Sequence, residues 1–326
     1  MHDMKGTALA CLISGIIVLV WLQPINLGST EVTIPDGATA REIAENLALH
    51  RAVRDKEEFI LWLRISGKEK DLRSGRYILP KYKNPLYIIS KLSEGGRSDI
   101  IVTIPEGLTL YEIADILELH GIVNRDTFIA LCKNRSFIKN VGFTLVSLEG
   151  YLFPDTYSFS PAQTDSLVIA QLLENFGRHL EKYEIRSPDS VFKIITLASL
   201  IEKEARVEEE RPIIAKVFVN RLKTNRPLES CATVFYALHI ANPDKYQGKT
   251  KLTKRDLRFE SSYNTYIHTG LPPGPICSPG ENSIKAVIYP ADVDYLYFVA
   301  KGDGHHHFSK TFREHIAAKE KYNAEK

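Results

Sequence analysis

Residues 32–53 read VTIPDGATAREIAENLALHRAV, and residues 102–123 read VTIPEGLTLYEIADILELHGIV. At an offset of 70 the two stretches share 13 of 22 residues, so the chain carries an internal duplication. Each copy holds the same local instructions. Val32-Thr33-Ile34 begins a strand and Asp36-Gly37 turns the chain. Thr39, with Glu42 three residues later, is the reciprocal signal of a helix start. Ile43, Ala44 and Leu47 then recur at helical spacing. His50 and His120 fall at matching helix ends, where a structural role at the C-terminus is expected rather than catalysis. A fainter echo at an offset of 80 links Gly75-Arg76-Tyr77-Ile78-Leu79 to Asp155-Thr156-Tyr157-Ser158-Phe159, each continuing into an amphipathic helix ending near Leu92 or Leu172. The first half is therefore a duplicated strand–helix architecture, with one α/β unit over 31–100 and a related one over 101–180. Such units either recognise a ligand or present a site elsewhere, and the repeat itself leaves both open.

Upstream of the repeats, Gly6 to Leu22 is uncharged, with Thr7 and Ser14 as its hydroxyl residues. At about 1.5 Å per residue such a stretch just spans a hydrocarbon core, so a short transmembrane helix over 6–22 is expected. No small-residue cleavage site follows Trp21-Leu22-Gln23-Pro24, which favours a retained anchor over a cleaved signal peptide. Cys11 lies too early in the apolar run for a lipid-modified cysteine. Lys5 is the only basic residue before the span, giving weak support for residues 1–5 in the cytoplasm and the body outside the cytoplasmic membrane.

Downstream, Ser187-Pro188 reads as an N-cap followed by Pro at the first helical position, leading into a helix over Val191 to Glu204. A second helix is expected from about Glu210 to Leu222. Glycine, proline, tyrosine and asparagine crowd 242–290, a strand follows at Tyr295 to Val299, and a last helix starts near Ser309. Residues 187–326 thus form a mixed α+β domain, and the whole chain is of the α+β class. The 326 residues carry 42 basic and 40 acidic side chains, a formal charge of +2. No broad basic field is available for a phosphate backbone, so nucleic acid is excluded as a partner. Cys132, Cys231 and Cys277 form no C-x-x-C pair, and an exported body permits either buried free thiols or a single Cys231–Cys277 bridge.

In the helix ending at Glu204, positions 191, 194, 195, 198 and 202 fall along one stripe. This sets Glu202 on the face of Val191, Ile194, Ile195 and Ala198, with Glu204 projecting from another side. A carboxyl partly desolvated in this way suits a general acid. The same pattern also describes an amphipathic helix whose polar face starts at Glu202. Glu208, Glu209 and Glu210 read as a solvated acidic run balanced by Arg206 and Arg211. Successive side chains diverge in direction, so His305-His306-His307 is a poor ligand set for one metal ion.

Several of these segments resemble the endolytic murein transglycosylase, or YceG-like, family. Leu197 to Glu204 (LASLIEKE) is similar to its A-S-I-V-E-K-E segment, and Glu149 to Tyr157 to its E-G-Y-L-F-P-D-T-Y. Val217 to Leu222 resembles V-F-x-N-R-L, and Tyr263-Asn264-Thr265-Tyr266 with Gly270 to Ile276 resembles Y-N-T-Y and G-L-P-P-G-P-I. Tyr295 to Val299 and His306 to Ser309 match two further motifs, all in order over residues 31 to 315. The resemblance implies that the first units are LysM-like glycan-binding modules. It implies also that the chain is a membrane-anchored enzyme cutting peptidoglycan between N-acetylmuramic acid and N-acetylglucosamine, and that it works beside peptidoglycan synthases or the division machinery. It further implies that Glu202 is the catalytic acid/base, supported by Glu204 and Ser199. Tyr263, Asn264, Tyr266, His306, Glu149 and Asn220 become candidates for contacting the glycan. One departure stands out: where the family reads Q-S-D-P-T-V, this chain has Glu229-Ser230-Cys231-Ala232-Thr233-Val234, lacking both Asp and Pro.

A single key carboxyl is enough for this chemistry. Ordinary glycosidases use two, one to protonate the leaving oxygen and one as nucleophile or to activate water. In a lytic enzyme the 6-hydroxyl of the same sugar attacks instead, so no metal or cofactor is called for. The sequence admits two rivals. One is a non-catalytic peptidoglycan-binding or division scaffold. The other is a pyridoxal-phosphate lyase, for which neither a Schiff-base lysine nor a phosphate cup is evident.

Overall fold

The computed structural model describes residues 25–26, 28–35, 37–95, 99–160, 163–185, 187–246 and 248–324. The expected span over 6–22 and the tail over 1–5 lie outside the described residues. Among the described residues no helix is long and apolar enough to cross a membrane. The chain divides into two compact units, one ending at Ile100 and one beginning at Ile101.

In the first unit, β1 (Thr30–Ile34) runs antiparallel to β2 (Gly75–Leu79), with Val32 opposite Tyr77. Between them lie α1 (Ala40–Leu49) and α2 (Lys56–Ser66), and α3 (Pro85–Glu94) follows. The capping box predicted at Thr39 and Glu42 is formed in both directions, which fixes where α1 starts. Val32 and Ile34 on one face of β1 meet Ile43, Ala44 and Leu47 of α1 in a core closed by Phe59, Leu63, Ile88 and Leu92.

The second unit opens the same way. β3 (Ile100–Thr103) pairs with β4 (Thr156–Phe159), and α4 (Leu110–Leu119) begins at a second capping box of Thr109 and Glu112. Val102, Ile104, Ile113, Ala114 and Leu117 are buried like their counterparts 70 residues earlier. His50 and His120 are the C-cap residues of α1 and α4, and each ring Nδ1 lies within 2.9 Å of the carbonyl four residues back. Helices α5 (Arg125–Lys133) and α6 (Arg135–Asn140) precede β4, and α7 (Asp165–Glu181) follows it.

Helix α8 (Pro188–Glu204) is the pillar of this unit. All seven residues from Ile195 to Ile201 are buried, so the middle of the helix is enclosed on every side rather than along one stripe. The apolar stripe expected at 191, 194, 195 and 198 is therefore part of a wider buried surface. The helices around it are α9 (Arg211–Lys223), α10 (Cys231–Ala241) and α11 (Glu281–Ile288), with Leu200, Ile201, Ile214, Phe218 and Ile276 at the centre. An antiparallel pair, β5 (Tyr297–Ala300) and β6 (His306–Ser309), and helix α12 (Phe312–Ala324) complete the unit.

Candidate active site

The last turn of α8 presents Glu202, Lys203 and Glu204, and the three side chains go to different places. The Glu202 side chain is only 7% exposed. Its Oε2 accepts from the Gly280 N–H at 3.0 Å and the Ser283 hydroxyl at 2.7 Å, and lies 3.2 Å from Nη1 of Arg211. Gly280 is the N-cap of α11 and Ser283 lies in its first turn, so the carboxyl lies at that helix N-terminus while Arg211 ties it to α9. The turn before α4 covers this joint. Gly107 adopts φ +79°, and a Cβ there would lie 3.5 Å from Cγ of Glu202. A Cβ on Gly280 would collide with the carboxyl group of Glu106, so two carboxyl groups flank this glycine. Burial, and then the charge of Glu202, raise the Glu106 carboxyl above its usual range.

Lys203 donates to the Gly107 carbonyl at 2.9 Å. Glu204 points to α10, where its Oε1 accepts from the hydroxyl of Ser230, the N-cap residue, at 2.6 Å. The Ala232 backbone N–H donates to the same carboxyl. Burial nonetheless raises the Glu204 acid above the ordinary carboxylic range, against the opposing pull of these two donors and of His306. Glu204 lines a cleft of about 700 Å³ together with Lys203, Glu112, Ala232, Tyr236 and Ile276; Glu202 is not in its wall. The cleft therefore holds the second glutamate of the E-K-E segment, and the first is a staple between helices.

The remaining candidates separate in the same way. Glu149 is buried, and its Oε1 accepts the Leu110 N–H at 2.9 Å while Oε2 accepts the Tyr236 hydroxyl at 3.1 Å. Burial pushes the Glu149 acid up to about 7. Tyr263 packs its ring against Tyr236 with centroids 4.9 Å apart. The Tyr266 hydroxyl lies 3.1 Å from Sγ of Cys231, and burial raises that phenol. Asn264 is fully buried, donating to Leu257 and Phe259 carbonyls and accepting from the Tyr266 N–H, so its amide is consumed in shaping the loop. Asn220 donates to the Val293 and Tyr295 carbonyls, and the buried Ser199 hydroxyl bridges Thr196 to the Ile276 N–H. These three hold the scaffold.

His306 is buried against Glu210, with Nδ1 2.7 Å from Oε2 and its backbone N–H donating to both carboxylate oxygens. Burial works against the Glu210 charge, but the His306 contacts outweigh it and hold the carboxyl below its usual range. The acidic run is therefore not simply solvated, since Glu210 clamps β6 and Arg211 partners Glu202. Among the described residues no group of three or more His, Cys, Asp or Glu side chains is arranged to hold a metal ion. Cys132, Cys231 and Cys277 are all free, and Cys231 is exposed rather than buried. Sequence reasoning missed Tyr236 and Ser230. The only signal for Tyr236 is its place one helical turn after Ala232 on α10, which carries no chemistry until Glu204 is known to dock there.

Fold and site together define an α+β protein whose second unit carries a cleft with a desolvated carboxyl group, the equipment of an acid catalyst. The chain belongs to the YceG-like family, whose sequence profile matches residues 32–321. The endolytic murein transglycosylase of Bacillus subtilis (strain 168) is 34% identical over 330 residues, covering 94% of this chain and 89% of the relative. That of Streptococcus pneumoniae (strain D39) is 32% identical over 322 residues, and the match spans 87% of this chain and 57% of the relative's length. The crystal structure of a YceG-like protein from Listeria monocytogenes superposes with a TM-score of 0.58 at 32% identity, covering 89% of this chain and 98% of that one.

Proposed function

We propose that this protein is a peptidoglycan lytic transglycosylase whose acid/base is Glu204. The observation that carries the assignment is the placement of the Glu204 carboxyl in the cleft wall, raised by burial so that it holds a proton closer to neutral pH. The protonated acid gives its proton to the oxygen between N-acetylmuramic acid and N-acetylglucosamine, and the C1–O bond breaks. The 6-hydroxyl of the muramic residue then attacks C1, and its proton returns to the Glu204 carboxylate. The product is a 1,6-anhydro end, and the acid is regenerated without water or a second carboxylate. Ser230 and the Ala232 N–H are placed to steady the carboxylate while it is ionised between the two transfers. Glu202 is the alternative acid that the family resemblance implies, but its Oε2 is held by Gly280, Ser283 and Arg211 away from the cleft.

Glu204→Gln keeps the volume and removes the transferable proton, so release of anhydromuropeptides from purified sacculi should fall by about 10²–10⁴-fold. Glu202→Gln should read out first as lost stability of the second unit. A folded Glu204→Gln protein that cuts at near wild-type rate, with Glu202→Gln inactive and equally folded, returns the role to Glu202. Products released from the interior of long glycan strands would mark endolytic action.

The same reading makes residues 31–100 and 101–180 LysM-like glycan-binding units ahead of a catalytic domain over 187–326. It places a retained single-pass anchor at residues 6–22 in the cytoplasmic membrane, with the catalytic part outside, where peptidoglycan and the synthases or division machinery that extend it are found. The uncharged run from Gly6 to Leu22 and the extracytoplasmic substrate support this topology. A reporter fused after Lys326 should be active only outside the cytoplasm, and cytoplasmic activity would refute it.

A further inference from the structure

Behind the cleft wall the second unit holds a carboxyl group that the cleavage steps do not use. Glu149 is 3% exposed, and its two oxygens have different partners. Oε1 takes the N–H of Leu110, the first residue of α4, and Oε2 takes the O–H of Tyr236, whose ring lines the cleft. Tyr236 follows Ala232 by one turn of α10, and Ala232 is the residue whose N–H holds Glu204. Tyr236 thus leaves α10 one turn beyond the residue whose N–H holds the proposed acid.

We propose that Glu149 is a positioning residue that acts through Tyr236, and that its protonation state decides whether the phenol offers the glycan a hydrogen-bond acceptor or a donor. The inference rests on the assignment of the cleft as the glycan site. With Glu149 ionised, the phenol proton is committed inward; the Tyr263 side chain hydrogen-bonds to the same phenol, and the lone pair left over serves a sugar hydroxyl or an acetamido N–H. With Glu149 protonated, the carboxylic O–H donates to the phenol oxygen, and the phenol proton turns to the cleft. One proton added behind the wall thereby reverses the polarity of one contact in front of it.

The groups that face Glu149 leave it free to switch. Glu112 comes from α4, Cys132 from α5, Tyr236 from α10, and Tyr263, Cys277 and the Gly150 N–H from the loops; Lys133 of α5 and Lys203 of α8 act on the neighbouring Cys132 and Cys277. Neither lysine acts on Glu149 itself, so no fixed positive charge pins the carboxylate. Burial accordingly brings its titration to about 7, within the range a cell-wall enzyme meets.

The ionised form is the working one, since it holds the Tyr236 oxygen as an acceptor with its ring fixed against Tyr263. Glu149→Gln mimics the protonated state at every pH. Its amide oxygen takes the Leu110 N–H, and its NH2 must then donate to the phenol. The test measures KM and kcat separately on defined glycan strands from pH 5.5 to 8.5 for wild type, Glu149→Gln, Tyr236→Phe and the double variant. Wild-type KM should rise as pH falls through about 7, the titration point of Glu149. Loss of one hydrogen bond should raise KM at pH 8.5 by about 3–10-fold in each single variant, flatten the pH dependence in both, and leave kcat nearly unchanged. The double variant should be no worse than either single one, because both changes cut the same link.

A wild-type KM profile retained in folded Glu149→Gln overturns the proposal, as do effects that multiply in the double variant. If Glu149→Gln does not fold, Tyr236→Phe carries the same test, and an unchanged pH profile in that variant is equally fatal. The polarity switch is also read without turnover. A protonated-carboxyl infrared band should titrate near pH 7, be absent in Glu149→Gln and shift in Tyr236→Phe; its absence in wild type refutes the coupling. A wild-type protein that shows this band but releases no anhydromuropeptide sinks the proposed function and leaves the Glu149–Tyr236 link standing.

Discussion

Replacing Glu149 by glutamine should change the pH dependence of stability in a direction opposite to that of most carboxylates. In the folded protein burial raises this acid from 4.5 to about 7, whereas in the unfolded chain it titrates near 4.5. Below 4.5 both states hold the proton and Glu149 makes no pH-dependent difference. Between 4.5 and 7 the unfolded chain ionises freely while the folded one resists, so the wild type loses stability as pH rises, and above 7 the loss is complete. Each pKa unit corresponds to about 1.36 kcal/mol, so a shift of this size makes the cost about 3 kcal/mol. The amide in Glu149→Gln cannot ionise, fits the same space and still accepts from the Leu110 N–H. Relative to wild type, the variant should therefore gain about 3 kcal/mol between pH 4.5 and 8. Both tryptophans, Trp21 and Trp62, lie outside the second unit, so the measurement is amide exchange within α4 and α10 or near-ultraviolet tyrosine dichroism through urea unfolding. A difference that stays flat to within about 1 kcal/mol across this range means that Glu149 does not titrate there, and the switch at Tyr236 goes with it.

Ala232→Pro, which restores a residue typical of the family, removes the N–H that Glu204 accepts; proline is tolerated in the first turn of a helix. The acid should rise further, moving the alkaline limb of cleavage up by about one pH unit, and an unmoved limb would mean that Glu204 is not the acid. Gly150→Ala drives a methyl into the Pro275 ring and sets it 3.2 Å from the Cys277 carbonyl at a φ of +82°. The second unit should lose about 2–4 kcal/mol in urea titration, and a loss under about 1 kcal/mol would show that the Pro275 loop yields easily. Burial pushes all three thiols up, so access decides alkylation of the native protein: exposed Cys231 should be labelled and the buried Cys132 and Cys277 spared. Because Cys231 lines the cleft, labelled protein should stop cutting glycan, and full activity after complete labelling would place the substrate elsewhere.

The repeat was legible because its signals are local. Thr39 with Glu42 and Thr109 with Glu112 form caps within four residues of chain, and the spacing of Ile43, Ala44 and Leu47 names the buried face without reference to any partner. The ends of α8 and α9 were equally readable from Ser187-Pro188 and the helical run to Leu222. The family and the importance of the E-K-E segment were also visible in the sequence, as ordered motifs. Which of the two glutamates faces the cleft was not. Positions 202 and 204 point to different sides of one helix, and spacing says nothing about what waits on each side. Residues 281–288 bring the N-terminus of α11 to Glu202, while residues 230–241 bring that of α10 to Glu204. A carboxyl becomes a staple or an acid according to helix N-termini 26 to 81 residues away, and Glu149 becomes a buried acid only because Leu110 and Tyr236 close around it. Periodicity along a helix fixes the direction of a side chain; burial, and with it the proton affinity of a carboxyl group, is set by what the rest of the fold puts there.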